Sequence, residues 1–392
     1  MRKLKADYVF PVTGKPIKDG VVVIDNDGEI IAINHATDHE FHELERYEGV
    51  ITPGFINTHC HLELSHMVNK VPTGTGLIPF IQSVVQFRDT KQGEIYAAIE
   101  RLDYGMDERG IVAVGDISNK LDTKEAKDKS KIRYYTFVEM FDFMQDANAQ
   151  ATFDQYKEVY DGQSRSHGNQ VSAVPHAPYS VSKSLYKKIN ELNEDANITV
   201  SIHNQETPDE DELFLSKTGG FLDFYKTFGI PLSKFRATKK TAIHAALKNM
   251  NPNVRTLFVH NTMTTPEDIQ AAHQWSDNVY WATCPNANLY IENRLPNYKY
   301  FVDNNAKMTI GTDSLTSNWT LCILEEMKAI NKYQSSIDFG TLLKWATLNG
   351  AEALGFEQDL GSLEVGKTPG INLVTLDRNL KLMPNSAVRK LA

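Results

Sequence analysis

Eight apolar or β-branched runs, at 50–59, 111–117, 132–140, 171–175, 198–203, 255–260, 279–284 and 307–312, punctuate the middle of the chain. Helical candidates fall between them, among them Glu94 to Tyr104, Ser182 to Leu192, Thr241 to Asn249 and Pro266 to Gln274. Strands that alternate with helices form right-handed βαβ units and a parallel sheet. Eight such repeats over roughly 300 residues suit a closed α/β architecture, the (β/α)8 TIM-type barrel. An open doubly wound sheet competes with it. That alternative has less support, because no glycine-rich dinucleotide fingerprint follows the first strand.

The two ends of the chain read differently. Gly20 to Asp25, a turn at Asn26-Asp27-Gly28, and Glu29 to Ile33 spell a β-hairpin. Short strands between glycines return at Gly361 to Lys367 and Ile371 to Asp377. Two β segments at opposite ends can pair into one small domain, with everything between them forming the second. A length of 392 residues allows this, since it exceeds the size at which one core stops growing.

Composition narrows the class. A net charge of -9 argues against a nucleic-acid partner, which would need a basic face. Cysteines only at 60, 284 and 322 make a disulfide framework unexpected and point to a reducing compartment. Residues 1–7 show no apolar run behind their charges, so no signal peptide is expected, and no stretch approaches the ~18 apolar residues of a membrane span. These features predict a cytoplasmic enzyme with a small-molecule substrate, no nucleic acid and no membrane. A homodimer stays an open option.

In a barrel, chemistry gathers where strands end. The first run ends in His59 and His61, the fourth in Pro175-His176-Ala177-Pro178, and the fifth in His203-Asn204-Gln205-Glu206. The sixth ends in His260, the seventh in Cys284-Pro285-Asn286-Ala287-Asn288, and the eighth in Gly311-Thr312-Asp313-Ser314. Side chains at i and i+2 of a strand share a face, so His59 and His61 can present two imidazoles to one point while Cys60 faces away. With His203 and Asp313 the set becomes three neutral histidines and a carboxylate, a metal site with room for water. A lone histidine is more often a hydrogen-bonded core residue, but three histidines and an aspartate at matching strand-end positions are not coincidence. His66 reads as a loop residue and Cys60 as structural. The acidic run Asp209 to Glu212 reads as a solvated first helical turn.

The ordered set Pro53-Gly54-Phe55-Ile56-Asn57-Thr58-His59-Cys60-His61, Pro175-His176-Ala177-Pro178-Tyr179, His203-Asn204-Gln205-Glu206, His260, Cys284-Pro285-Asn286-Ala287-Asn288 and Gly311-Thr312-Asp313-Ser314 resembles the amidohydrolase superfamily. The likeness is to the branch of guanine, cytosine, nucleoside and aminofutalosine deaminases and triazine hydrolases. It implies a small composite β-sandwich built from both chain ends (1–50 and 355–392) beside a metal-binding barrel (51–354). It also implies one divalent ion, zinc or alternatively iron, on His59, His61, His203 and Asp313. Ala287 departs from the branch, where serine is more common.

The chemistry expected of such a site is hydrolytic. A bound divalent cation lowers the pKa of its water from 15.7 toward ~7. Asp313 and His260 would hold the water's proton, and Glu206, just past the strand end, would protonate a ring nitrogen as general acid. His176, Glu63 and Arg88 are the expected substrate contacts, and residues 70–88 would cap the pocket. Phe137 to Phe141 would add an apolar wall or belong to the core. The leading expectation is a deaminase of an amino-substituted N-heterocycle, purine or nucleoside-like, with aminofutalosine among the options. A cyclic amidase or triazine-type chlorohydrolase would use the same metal site, and a non-catalytic ligand-binding relative is the third alternative.

Overall fold

The structure, a computed structural model, describes residues 1–195 and 197–392. Each of the eight central runs contributes a parallel strand, the first through its second half only. The first sheet holds β1 (Phe55–Cys60), β2 (Ile111–Ser118), β3 (Arg133–Met140) and β4 (Gln170–Pro175), and the second holds β5 (Thr199–Asn204), β6 (Arg255–His260), β7 (Val279–Thr283) and β8 (Met308–Ile310). Each strand in a sheet pairs in parallel with its sequence neighbour. Their residues are buried almost throughout, which is why these strands read as continuous apolar runs and not as alternating ones.

Backbone hydrogen bonds tie the two sheets together where they meet. The His203 amide donates to the His176 carbonyl at 2.9 Å, and the Thr312 and Asp313 amides both donate to the His59 carbonyl at 3.0 Å. Gly311 makes the second junction close, since a Cβ there would sit 2.8 Å from the His59 Cβ. Both junctions lie at the strand ends that carry the candidate ligands.

The first predicted run splits in two at Gly54, where a Cβ would meet the Pro369 carbonyl at 2.7 Å. Val50–Pro53 pairs antiparallel with Ile371–Val374, so the chain ends do join. The predicted hairpin forms between Gly20–Ile24 and Ile30–His35. Leu4, Val22 and Ile30 share an apolar cluster with Ile51, Ile371 and Leu373. The strand expected at Gly361–Lys367 is instead a turn, closed by the Lys367 amide on the Glu364 carbonyl. Ser362 Oγ and Lys367 Nζ both bind the Glu364 carboxylate there, which favours local bending over a ladder.

The predicted helices appear as Gln92–Glu108, Lys183–Leu192, Ile243–Asn249 and Pro266–Trp275. Ser182 caps the second by accepting from the Leu185 amide, and Thr265 forms a capping box with Asp268 on the fourth. Four further helices bear on the site: α1 (Leu77–Phe87), α2 (Gly220–Thr227), α3 (Pro285–Glu292) and α4 (Ile323–Tyr333). The first three share a separate apolar cluster that includes Phe80, Phe221, Tyr225 and Tyr290. Among the described residues no helix is long and apolar enough to cross a membrane.

Candidate active site and metal centre

Three imidazole nitrogens and a carboxylate oxygen converge at the ends of β1, β5 and β8. His61 Nε2 lies 3.2 Å from His59 Nε2 and 3.3 Å from His203 Nε2. Asp313 Oδ1 lies 3.4 Å from the His61 nitrogen and 3.6 Å from that of His59. A tetrahedral ion with bonds of ~2.1 Å spaces its ligands about 3.4 Å apart, so this donor set fits one divalent cation. Burial holds His59 and His61 down at about 4, in the neutral form that offers a lone pair. Although burial opposes it, hydrogen bonding from His59 and the nearby imidazoles hold the Asp313 carboxyl well below the usual range.

The remaining ring nitrogens set the tautomers. His203 Nδ1 is 3.0 Å from the His176 carbonyl, and His260 Nδ1 is 2.9 Å from the Asn288 side-chain oxygen. A proton held at each Nδ1 aims each Nε2 at the centre; that of His260 is free, and that of His203, a ring that Glu139 lifts to about 9 against the effect of burial, offers its lone pair only when a cation displaces its proton. Asp313 Oδ2 accepts from Ser317 Oγ at 2.6 Å, which fixes the carboxylate's rotation. Local backbone strain accompanies this aim: His260 has φ 72° and Asp313 φ 57°, left-handed values for residues with a Cβ.

Glu206 completes the centre, its Oε2 standing 3.7 Å from His260 Nε2. Burial pushes its carboxyl up to about 8 and pulls His260 down to about 4, so the pair is an uncharged acid beside a neutral base at pH 7. The loop is held from below by Glu210, whose carboxylate accepts the Glu206 amide at 2.7 Å and the Gln205 amide at 3.1 Å. This corrects part of the reading of 209–212 as solvated: Glu210 is fully buried and Asp211 accepts the Ala242 amide, while Glu212 is exposed.

The other expected contacts are distributed around one cavity of about 270 Å³. His176 lines it, its Nδ1 2.6 Å from Ser180 Oγ. Glu63 and Arg88 line it as well, 3.5 Å apart. The buried Glu63 carboxylate also accepts the Asn119 amide at 2.9 Å. His66 stands outside the cavity lining, its Nε2 meeting the Arg88 carbonyl at 2.7 Å. Cys60 is wholly buried, and burial raises its thiol well above the ordinary value. α1 supplies a wall of the cavity, as the expected cap.

Two buried acids escaped the sequence reading. Glu139, on β3, places Oε1 3.2 Å from His203 Nδ1, and Asp116, on β2, accepts the Leu62 amide at 2.7 Å, next to His61. The available signal was the same for both: a single carboxylate inside an otherwise apolar run.

Parallel α/β sheets with a histidine–carboxylate cluster on their C-terminal edge form a scaffold suited to holding a divalent cation and to hydrolysis. The model of the amidohydrolase family matches residues 50–392, and the chain belongs to that family, in its deaminase and chlorohydrolase branch. An aminodeoxyfutalosine deaminase of a Nitratiruptor species is 28% identical over 356 residues, which cover 88% of this chain and 82% of the relative. An adenosine deaminase of Helicobacter pylori is 26% identical, covering 83% and 78%. Among solved structures, Helicobacter pylori aminofutalosine deaminase in complex with methylthio-coformycin superposes with a TM-score of 0.80 at 23% identity, covering 98% of this chain and 94% of that one. Atrazine chlorohydrolase from Arthrobacter aurescens TC1, complexed with zinc, gives 0.75 at 17% identity, covering 96% and 88%.

Proposed function

We propose that the protein is a metal-dependent hydrolytic deaminase of an amino-substituted N-heterocycle, purine or nucleoside-like, with aminodeoxyfutalosine among its candidate substrates. The observation that carries this is the buried Glu206 carboxyl, pushed by burial up to about 8, which faces the cavity beside His260 and the cluster of His59, His61, His203 and Asp313. Ring-nitrogen protonation requires an acid at that place. The relatives' names point the same way.

His59, His61, His203 and Asp313 would hold one divalent ion, which supplies Lewis acidity and a more acidic water. Zinc is the ion we favour on imidazole-rich ligands, and iron the alternative. The chain's own residues then move the protons. As water oxygen bonds to the ring carbon, Glu206 gives its proton to the adjacent ring nitrogen. His260 and Asp313 take a proton from the water and pass it to the amine, the C–N bond breaks, and ammonia leaves. Glu206 recovers a proton from the remaining hydroxyl, leaving a ring carbonyl next to a ring N–H. His176, Glu63 and Arg88 would position the substrate.

The same reading includes a closed (β/α)8 barrel over 51–354, supported by the hydrogen bonds that tie β4 to β5 and β1 to the residues after β8. It includes a composite β-sandwich of 1–50 and 355–392, supported by their shared apolar cluster. Three buried free cysteines favour the cytoplasm.

Ammonia release from a panel of aminopurines, pterins, nucleosides and aminodeoxyfutalosine tests the assignment. Release from one compound, lost on chelation and restored by metal, is the expected result. Silence across the panel with one metal still bound per chain would shift the function to amide-ring or halide hydrolysis.

A further inference from the structure

The hydrogen-bonded ladder between β5 and β6 ends at the pair Asn204 and His260. Beyond it both chains turn sharply: Gln205 has φ 46°, His260 φ 72° and Asn261 φ 57°, three left-handed residues that all carry a Cβ. A glutamine avoids that region unless surrounding structure imposes it. One turn carries Glu206 into the cavity and the other carries His260. Among the described residues no hydrogen bond reaches the Glu206 carboxyl, so its aim depends on the backbone beneath it.

That backbone is held by Gln205, which is fully buried and stands outside the cavity lining. Both its main chain and its side chain are engaged. The Gln205 amide donates to Glu210 Oε2 at 3.1 Å, and the Gln205 carbonyl accepts the Met263 amide at 2.9 Å. Its side-chain nitrogen donates to Asp268 Oδ2 at 3.1 Å, and its side-chain oxygen accepts from Thr264 Oγ1 at 2.9 Å. A carboxylate only accepts, so Asp268 fixes which end of the glutamine amide faces it and turns the oxygen toward Thr264. Met263 and Thr264 lie in the loop after His260, and Asp268 lies on the helix Pro266–Trp275 that continues from it. Three of these four bonds therefore cross from the Glu206 loop to the His260 loop and its helix. Asn204 adds another tie, its side chain donating to Asn261 Oδ1 at 3.1 Å.

We infer that Gln205 is a positioning residue that clamps the two loops together and so sets Glu206 Oε2 at 3.7 Å from His260 Nε2, without itself touching substrate or metal. Misplacing reacting groups by ~1 Å costs up to ~10²-fold in rate, which makes a dedicated clamp behind this pair worth its burial. The inference rests on the roles proposed for Glu206 and His260. Its geometry does not depend on which heterocycle binds.

Gln205→Ala and Gln205→Gly test it in the metal-loaded protein. Both remove the side-chain bonds, but only glycine relieves the left-handed strain, so a rate loss shared by both reports the missing clamp and not a weakened fold. The expected result is kcat down ~10–100-fold in both, with KM and metal content unchanged. Thr264→Val should lose part of that rate, and added to Gln205→Ala it should cost nothing more, since the bond it removes is already absent. Where Gln205→Ala does not fold, Gln205→Gly and Thr264→Val carry the same comparison. Crystal structures of the parent and Gln205→Gly should show the separation of Glu206 from His260 lengthened in the variant. Parental kcat in either glutamine variant, or an unchanged separation, would overturn the clamp. If the parent releases no ammonia from any heterocycle offered, the deaminase reading fails, and the two crystal structures alone decide whether Gln205 holds this spacing.

Discussion

His203 and Glu139 are bound by charge more than by a shared proton. Oε1 of Glu139 lies 3.2 Å from His203 Nδ1, but the N–H points at the His176 carbonyl 3.0 Å away, leaving that carboxylate oxygen without a hydrogen bond. Although burial works against it, Glu139 lifts His203 to about 9. A buried negative charge behind a ligand raises its basicity and the cation affinity of the whole centre. Glu139→Gln keeps the shape and removes the charge, so metal affinity should fall by ~10–100-fold. Competition against a chromophoric chelator measures this, and undiminished affinity would dismiss the role.

Glu206→Gln should bind metal as the parent does and lose ~10²–10⁴-fold in kcat, the contribution of a positioned general acid. Loss of metal from this variant would instead make Glu206 a ligand. Because burial raises the Glu206 carboxyl to about 8, the acid is present at neutral pH and disappears as pH climbs through that value. The kcat/KM profile of the parent should therefore decline on its alkaline side.

Strand positions and ligand candidates were legible in the sequence because both are local. β1 to β8 coincide with apolar runs, and His59 and His61 converge through the two-residue period of one strand. What supports them was not legible. Glu139 and Asp116 act on residues far away in sequence, and a lone acid in an apolar run gives no hint of its partner. The run Asp209–Glu212 misled for a related reason: composition marked it as solvent-facing, while tertiary packing buries Glu210 beneath the Glu206 loop. The turn at 361–367 was missed because Leu363 and Val365 alternate with polar residues between two glycines, the pattern of a short strand.

Glu326, on α4, ties the start of α3 to the loop that follows Asp313. Its carboxylate accepts the Asn286 amide at 2.9 Å, and from Asn286 and Asn318 side chains at 3.0 and 2.7 Å. Burial raises its pKa from 4.5 to about 8, so the folded protein holds a proton there that the unfolded chain has released above pH ~4.5. The stabilisation is complete below 4.5 and is lost as pH rises through about 8. Stability of the parent relative to Glu326→Gln, followed by denaturant unfolding, should decline across that window. A difference independent of pH would refute the assignment.

Beside the end of β1, which carries two candidate metal ligands, lies a wholly buried ion pair. Lys127 Nζ stands 2.6 Å from Asp116 Oδ2, donates to Ser118 Oγ at 3.1 Å and Thr136 Oγ1 at 3.0 Å, and lies 5.3 Å from the Tyr134 ring centre. The other Asp116 oxygen accepts the amide of Leu62, the residue after His61, so the pair anchors the strand end that carries two ligands. Lys127→Met would strand the Asp116 charge in a low-dielectric interior and should destabilise the protein by ~3–5 kcal/mol. Adding Asp116→Asn neutralises that charge while keeping an oxygen for the Leu62 amide, so the double variant should recover much of the loss. Recovery would show that the cost of the single change is an uncompensated charge. A double variant no more stable than Lys127→Met would mean that lost packing of the lysine stem accounts for the effect, and that the ion pair itself contributes little to holding His61 in place.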